Sequence, residues 1–274
     1  RFGPQQRRFA LNPFPYAFDN NRYHTLAYHN RQQNCKTQKA VIDAGLSCPN
    51  IDGTCGVGGC IFCDGGSGYF TQDKAFSVTE QLQAEKVRIH KKSPESKIIA
   101  YFQTHTNTYA PVEYLERIFL EAISDPEVVA LSIATRPDCI GKDVLSLLKE
   151  LNGKTHLTVE LGLQSSNDET AARIHRGYKY EVFREIFLRL RENNIRVCVH
   201  IIDGLPGETE AEMIKTAEDL AQLRPDGVKI HLLHVIRGTQ LAGLYESGAY
   251  TPMTFEDYVR VVIRQLEVLP PETV

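Results

Sequence analysis

The 274-residue sequence contains no apolar run approaching the roughly eighteen residues of a membrane-spanning helix. Its Arg-rich opening, Arg1 to Arg8, has no apolar stretch behind it, so no signal peptide is expected and a cytoplasmic protein is. Charge of one sign does not dominate either. A formal net charge of −3 excludes a chain that is basic throughout, while leaving room for a local basic patch facing an anionic partner. Internal repeats and low-complexity tracts are absent. Seven cysteines make an odd number, and four of them fall between positions 48 and 63. That crowding suits a metal or redox site in a reducing compartment better than a disulfide framework.

A hydrophobic content of 42% is enough to bury a sizeable core in one α/β domain. Residues 1–35, rich in Asn, Gln, Arg and aromatics with prolines at 4, 13 and 15, read as an irregular arm. From Lys39 onward, short apolar runs alternate with amphipathic segments, the pattern of repeated βα units around a parallel sheet. The expected strands are Ala40–Ile42, Lys97–Phe102, Val128–Ala134, Leu157–Leu161, Arg196–Ile202 and Gly227–Leu232. Helical spacing covers Thr79–His90, Val112–Ile123, Lys142–Leu151, Glu169–His175, Tyr180–Asn193 and Glu210–Leu223. Near-continuous runs such as Ile98 to Phe102 suit strands covered on both faces. The expected fold is α/β, a partial (βα)6 TIM-like barrel over residues 36–245 with a helical extension at 246–274. Active sites of such sheets gather at the carboxyl ends of the strands.

The segment from Cys48 to Cys63 follows the first strand and is too rich in Gly, Asn and Asp for a helix, which makes it a loop at that active end. Soft sulfur ligands select zinc or iron–sulfur centres. Three readings stand level on the loop alone. Structural zinc would take Cys48, Cys55, Cys60 and Cys63; a plant-type [2Fe–2S] site would start from Cys55, Cys60 and Cys63; a [4Fe–4S] cube would use Cys48, Cys60 and Cys63 and leave one iron open. The run Gly56-Val-Gly58-Gly59 does not have the Gly-x-Gly-x-x-Gly spacing of a dinucleotide loop.

Cys48-Pro-Asn-x-Asp-Gly-Thr with Gly59-Cys60-x-Phe62-Cys63 resembles a bacterial subfamily of radical S-adenosylmethionine (SAM) enzymes close to the catalytic subunit of elongator. The likeness continues through Tyr101-Phe-Gln-Thr104, Asn107-Thr-Tyr109, Thr135-Arg-Pro-Asp138, Glu160-Leu-Gly-Leu-Gln-Ser165, Arg173-Ile-His-Arg-Gly177 and Gly204-Leu-Pro-Gly-Glu-Thr209. It covers nearly the whole chain from about Tyr23. Cys55 departs from the pattern and reads as a bystander. The resemblance implies a [4Fe–4S] cluster on Cys48, Cys60 and Cys63, whose open iron is chelated by SAM and whose electron breaks SAM into methionine and a 5′-deoxyadenosyl radical.

By similarity to enzymes of the coproporphyrinogen dehydrogenase type, Gln164 and Arg176 align with SAM-contacting positions, Arg176 with the carboxylate partner. His200 aligns with a ribose contact, and Leu205 falls in the adenine-side loop. Gln103 and Thr104 stand where the superfamily usually has Gly-Gly-Glu, and Thr135, Arg136 and Glu160 complete the cofactor-binding set that the resemblance implies. Lys229, His231 and His234 are expected around the same barrel mouth; Cys139 and Cys198 read as small core residues.

Elongator's relatives modify the wobble uridine of transfer RNA. The resemblance therefore implies transfer RNA as substrate, with an electron donor such as flavodoxin or ferredoxin and no membrane partner. Arg1, Arg7, Arg8, Arg22 and Arg31, with Lys86, Arg88, Lys91, Lys92 and Lys97, are the candidate phosphate contacts. No acetyltransferase domain follows the barrel as it does in elongator, so trimming or rearranging an aminomethyl-type side chain is one reaction to expect. The resemblance implies relatives that usually continue past Pro270, so an absence of C-terminal substrate determinants here is an expectation. The rivals are a radical SAM enzyme acting on a small molecule or peptide, and a noncatalytic zinc-stabilised binding protein.

Overall fold

Six parallel strands lie side by side in chain order, β1 to β6, in a curled half-barrel wrapped by helices on its outer face. The computed structural model describes residues 23–32, 36–64 and 73–274, with the side chains of 31 and 32 left out. Its elements are α1 (Leu26–Gln32), β1 (Thr37–Ile42), α2 (Val78–His90), β2 (Lys97–Phe102), α3 (Val112–Ile123), β3 (Val128–Thr135), the 3₁₀ turn Pro137–Cys139, α4 (Lys142–Asn152) and β4 (His156–Gln164). They continue with α5 (Asp168–Arg173), α6 (Tyr180–Glu192), β5 (Arg196–Asp203), α7 (Glu210–Leu223), β6 (Gly227–Leu232), α8 (Gln240–Glu246) and α9 (Phe255–Val268). Among the described residues, no helix is long and apolar enough to cross a membrane.

Most of the expected arm, 1–22 and 33–35, lies outside the described residues; the remainder contains α1, so the arm is not irregular throughout. Local chemistry sets the helix starts. Ser77 with Glu80 and Thr209 with Glu212 form reciprocal capping boxes on α2 and α7, satisfying amide hydrogens that otherwise lack partners.

The sheet's two faces differ. Ala40, Ile42, Ile98, Ala100, Leu131, Ile133, Leu157, Val159, Leu161, Val197, Val199 and Ile201 are buried against the helices and form one continuous core. The alternate positions point into the lumen, and most of them are only half-buried: Lys39, Val41, Ile99, Thr158, Gly162, Cys198, His200 and Lys229. Coverage of both faces, expected from the apolar runs, therefore holds on the helix side only. β4 also runs past the expected end at Leu161: Gly162 bends it without ending it, and the β4–β5 register slips between Gly162 and Gln164.

Candidate active site

Cys48, Cys60 and Cys63 sit on the loop between β1 and α2. The loop is tied by its own backbone, with Ile51 N–H donating to Cys48 O at 2.8 Å, Gly59 N–H to Asn50 O at 2.8 Å and Cys63 N–H to Cys60 O at 2.9 Å. Ile61 packs among Ile174, Leu205, Leu233 and Leu241, anchoring the stretch between the last two cysteines to the barrel rim. Like the other two, Cys60 is partly buried. Burial pushes its thiol up to about 11, the Arg136 charge opposes that, and the nearby Cys63 and Cys48 sulfurs reinforce it. The Asn50 amide reaches Cys60 Sγ at 3.5 Å and the His175 carbonyl at 2.5 Å.

Cys55 faces elsewhere. It is exposed and lines a cavity of about 570 Å³ with Thr54, Tyr109 and Cys139. Cys139 is accordingly not a core residue, and neither is Cys198, whose sulfur lies within 4.8 Å of ligand atoms on Glu160 and His200. A tetrahedral zinc with bonds of about 2.3 Å brings its sulfurs roughly 4 Å apart. Among the described residues, no three of the loop cysteines converge within 4.8 Å, so the zinc reading does not fit the loop. A cube shared by soft thiolates needs the wider spacing and fits the donor set. Beside the loop, Thr106 N–H donates to Ser47 O, and the buried Thr104 Oγ1 and Asn107 Oδ1 have no partner, a pair of polar atoms at the rim suited to a ligand.

Other residues expected at the SAM site take distinct positions. Gln164 ends β4 with a left-handed backbone, φ 62°, uncommon for a side chain of this kind and frequent at functional sites. Gln103 lies half-exposed at the end of β2, and Thr135 is buried with its hydroxyl 2.6 Å from that of Thr108. Leu205 is wholly packed against Ile61 and Tyr250.

Arg176, expected to hold the SAM carboxylate, is largely committed to the backbone. It is 1% exposed, and its guanidinium donates to the carbonyls of Leu163, Ser165 and Tyr178, with Asp168 3.7 Å from the remaining corner. Four of its five N–H groups are used in this way and the fifth, on Nη2, lies on the Asp168 side, because the left-handed turn at His175 and Gly177 draws the arginine under the end of β4. Arg136 is similarly committed, bidentate to Asp138 and donating to the Arg176 carbonyl at 2.9 Å. The Tyr178 ring lies 4.9 Å from Arg136 Cζ and 4.5 Å from Arg176 Cζ, and its hydroxyl donates to Gly162 O at 2.6 Å. Tyr178 was not singled out from sequence, its neighbours Arg176-Gly177 being the available signal; Asn50 was read as part of the cysteine motif but given no role of its own.

Glu160 and His200 sit on the lumen floor instead of at the mouth. Glu160, 2% exposed, accepts from Lys39, Ser132, Lys229 at 2.6 Å and His200 at 2.7 Å. Burial alone would raise its pKa; the His200 hydrogen bond and the two ammonium charges outweigh that and hold the carboxyl well below its usual range. Burial lowers His200 and takes His231 down to about 4, so both imidazoles are neutral at pH 7. Glu160, Cys198 and His200 are close enough for a metal ion, but two lysines already occupy the carboxylate and repel a further cation.

A half-barrel with a thiol-lined loop over the carboxyl ends of its strands is an enzyme architecture in which the loop holds a cofactor and the lumen takes a substrate. Residues 52–220 match the Radical SAM superfamily and 225–274 the Radical_SAM C-terminal domain, and the chain belongs to the radical SAM superfamily. Its cofactors are a [4Fe–4S] cluster and SAM. It is similar to "Uncharacterized protein YtqA" of Bacillus subtilis (strain 168), 46% identical over 265 residues, 96% of this chain and 82% of that protein. It is also similar to the "tRNA uridine(34) acetyltransferase" of Methanocaldococcus jannaschii, 27% identical over 272 residues, 84% of this chain and 48% of that protein. Among solved structures, Methanocaldococcus infernus Elp3 with an N-terminal deletion shares the fold, with a TM-score of 0.67 at 20% identity, covering 87% of this chain and 55% of that one. The chain thus spans about half the length of that structure.

Proposed function

We propose that this chain is a radical SAM enzyme that alters the side chain of a 5-substituted wobble uridine in transfer RNA. The observation that carries the substrate is the chain's likeness, over most of its length, to a protein named for acetylating a transfer RNA uridine. Trimming or rearranging an aminomethyl-type substituent is the reaction we favour. A flavodoxin or ferredoxin is the proposed electron donor.

In this reading Cys48, Cys60 and Cys63 hold the cluster, and Cys55 stays outside it. With SAM bound, the cluster supplies reductive cleavage of a carbon–sulfur bond and hence a hydrogen-abstracting radical. The protein binds and orients. Asn50 donates to the Cys60 sulfur, Gln164 presents its amide at the strand end, and Thr104 with Asn107 offers unpartnered polar atoms at the rim. The core on the convex face keeps the sheet rigid while the lumen stays open for substrate.

The basic candidates give no support to phosphate binding. Lys86 is tied to Asp125 and Glu127, and Arg88 to Glu85. Lys91, Lys92 and Lys97 follow α2 or open β2, at the amino-terminal end of the barrel and away from the cysteine loop. The five arginines of the arm lie outside the described side chains.

The test is mass spectrometry of bulk transfer RNA nucleosides from cells with and without the gene. One 5-substituted uridine should accumulate as precursor in its absence, and the protein with SAM and reductant should convert it in vitro. An unchanged nucleoside profile would move the substrate to a small molecule or peptide.

A further inference from the structure

Lys39 on β1 and Lys229 on β6 come from the two opposite edges of the sheet, yet meet in the middle of the lumen. Both reach the one Glu160 carboxylate on β4, Lys39 at Oε1 and Lys229 at Oε2. Both also lie over the Tyr101 ring of β2, their nitrogens 4.1 Å and 4.7 Å from its centroid. Ser132 of β3 and His200 of β5 complete the ring of contacts, so every strand contributes. The group sits about three residues below the strand ends, roughly 10 Å beneath the rim that carries the cysteine loop.

The charges do not cancel. Two ammonium groups face one carboxylate, while His200 and His231 are neutral and Tyr101 keeps its proton because burial raises it. With both lysines protonated, one positive charge is surplus, in a place where uncompensated charge is costly. Burial is the largest influence on Lys39, followed by attraction to Glu160 and repulsion from Lys229, with a net lowering. Each lysine side chain remains 33% exposed, reachable from the open lumen. An ammonium has three N–H donors; the hydrogen bonds of Lys39 use one and those of Lys229 two, leaving donors on both for an incoming acceptor.

We propose that Lys39 and Lys229 form a subsite for an anionic group of the substrate, a carboxylate or a phosphate, held on the lumen floor opposite the SAM end. This rests on reading the lumen as the substrate cleft of a radical SAM enzyme. Glu160 then acts as a positioning residue, drawing the two lysines together from opposite edges. The anion supplies the missing negative charge and fixes the depth at which the substrate presents its C–H bond to the rim.

The test is brief reductive methylation of the anaerobic, cluster-loaded protein, mapped by mass spectrometry, in sodium acetate, sodium phosphate or sodium chloride at equal ionic strength. Acetate or phosphate, but not chloride, should slow labelling of Lys39 and Lys229 several-fold while Lys91 and Lys92 label as before. Stronger protection by acetate identifies a substrate carboxylate, and stronger protection by phosphate a nucleotide phosphate. Lys229→Met should abolish protection at Lys39, and Lys229→Arg, which keeps the cation, should retain part of it. Equal protection by all three salts, or none, overturns the subsite. Protected lysines with unchanged transfer RNA nucleosides would sink the transfer RNA reading and leave the subsite standing; the converse result sinks the subsite alone.

Discussion

The arginine at position 176 shows how burial redirects a side chain that sequence alone aims at a ligand. Its charge and its place after β4 are what a carboxylate partner requires, but four of its five N–H donors are spent on three backbone carbonyls. Replacing it with alanine leaves those acceptors unpaired in the interior, so Arg176→Ala should lose about 3 kcal/mol or more of stability. Denaturant unfolding of the cluster-free protein measures this. An unchanged midpoint together with weakened SAM binding would restore the carboxylate role. At the cysteines, Cys55→Ala should keep iron content and 5′-deoxyadenosine formation, and Cys60→Ala should lose both, since Cys55 faces a cavity away from the other three. Loss of iron in Cys55→Ala would refute the three-ligand assignment. Asn50→Ala removes an N–H donor from the Cys60 sulfur, and such donors favour the more negative, reduced cluster. An electron paramagnetic resonance titration should find the midpoint potential more negative in the variant; an unmoved potential would limit Asn50 to holding the loop.

Among the elements, the joint between β5 and α9 carries a charge-dependent contact. Asp203 ends β5, and its Oδ1 accepts from Gln265 of α9 at 2.7 Å, while Asp203 Oδ2 and Gln265 Oε1 both lack partners. One proton on Asp203 would satisfy both. Burial pushes the carboxyl up from 3.8 to about 6, opposed by the Gln265 bond. The folded protein therefore holds this proton more tightly than the unfolded chain, so the contribution is complete below about pH 4 and is lost as pH rises through about 6, amounting to about 3 kcal/mol. Glu208, raised by burial to about 7 against the Ser165 hydroxyl bond, adds a loss of the same sign at higher pH. Asp203→Asn, whose amide donates without charge, should flatten the Asp203 part of the stability profile, as thermal unfolding across that pH range would show; a profile as steep as the parent's would leave Glu208 as its source. Most element boundaries were legible, because apolar spacing and capping residues are local: β2, α3, α7 and β6 fall where periodicity puts them. The ends of β4 and of α5, a helix expected at Glu169–His175 and found at Asp168–Arg173, were not, since a glycine bulge and the left-handed residues Gln164 and His175 depend on packing against Tyr178 and Asn50.

At the scale of the whole molecule, the half-barrel separates two jobs between the two faces of one sheet. Motifs in chain order made the fold and the cysteine loop readable, because they report which residues line the carboxyl ends of the strands. The lumen floor was not readable: Lys39 and Lys229 are 190 positions apart, and only the curl of the sheet brings them to one carboxylate. The same curl predicts an asymmetry in how substitutions act. Leu161 is fully buried on the helix side, and Leu161→Ala should cost about 3 kcal/mol through lost contacts and the cavity left behind. Ile99 points into the lumen and is only half-buried, so Ile99→Ala should cost about 1 kcal/mol. Ile99→Ala should instead change turnover by reshaping the cleft, with iron content and SAM affinity close to the parent's. Unfolding midpoints and single-turnover 5′-deoxyadenosine yields, taken on both variants at matched iron content, separate the two effects. Equal stability losses in the two would mean that the lumen is packed like the core and that the substrate enters elsewhere.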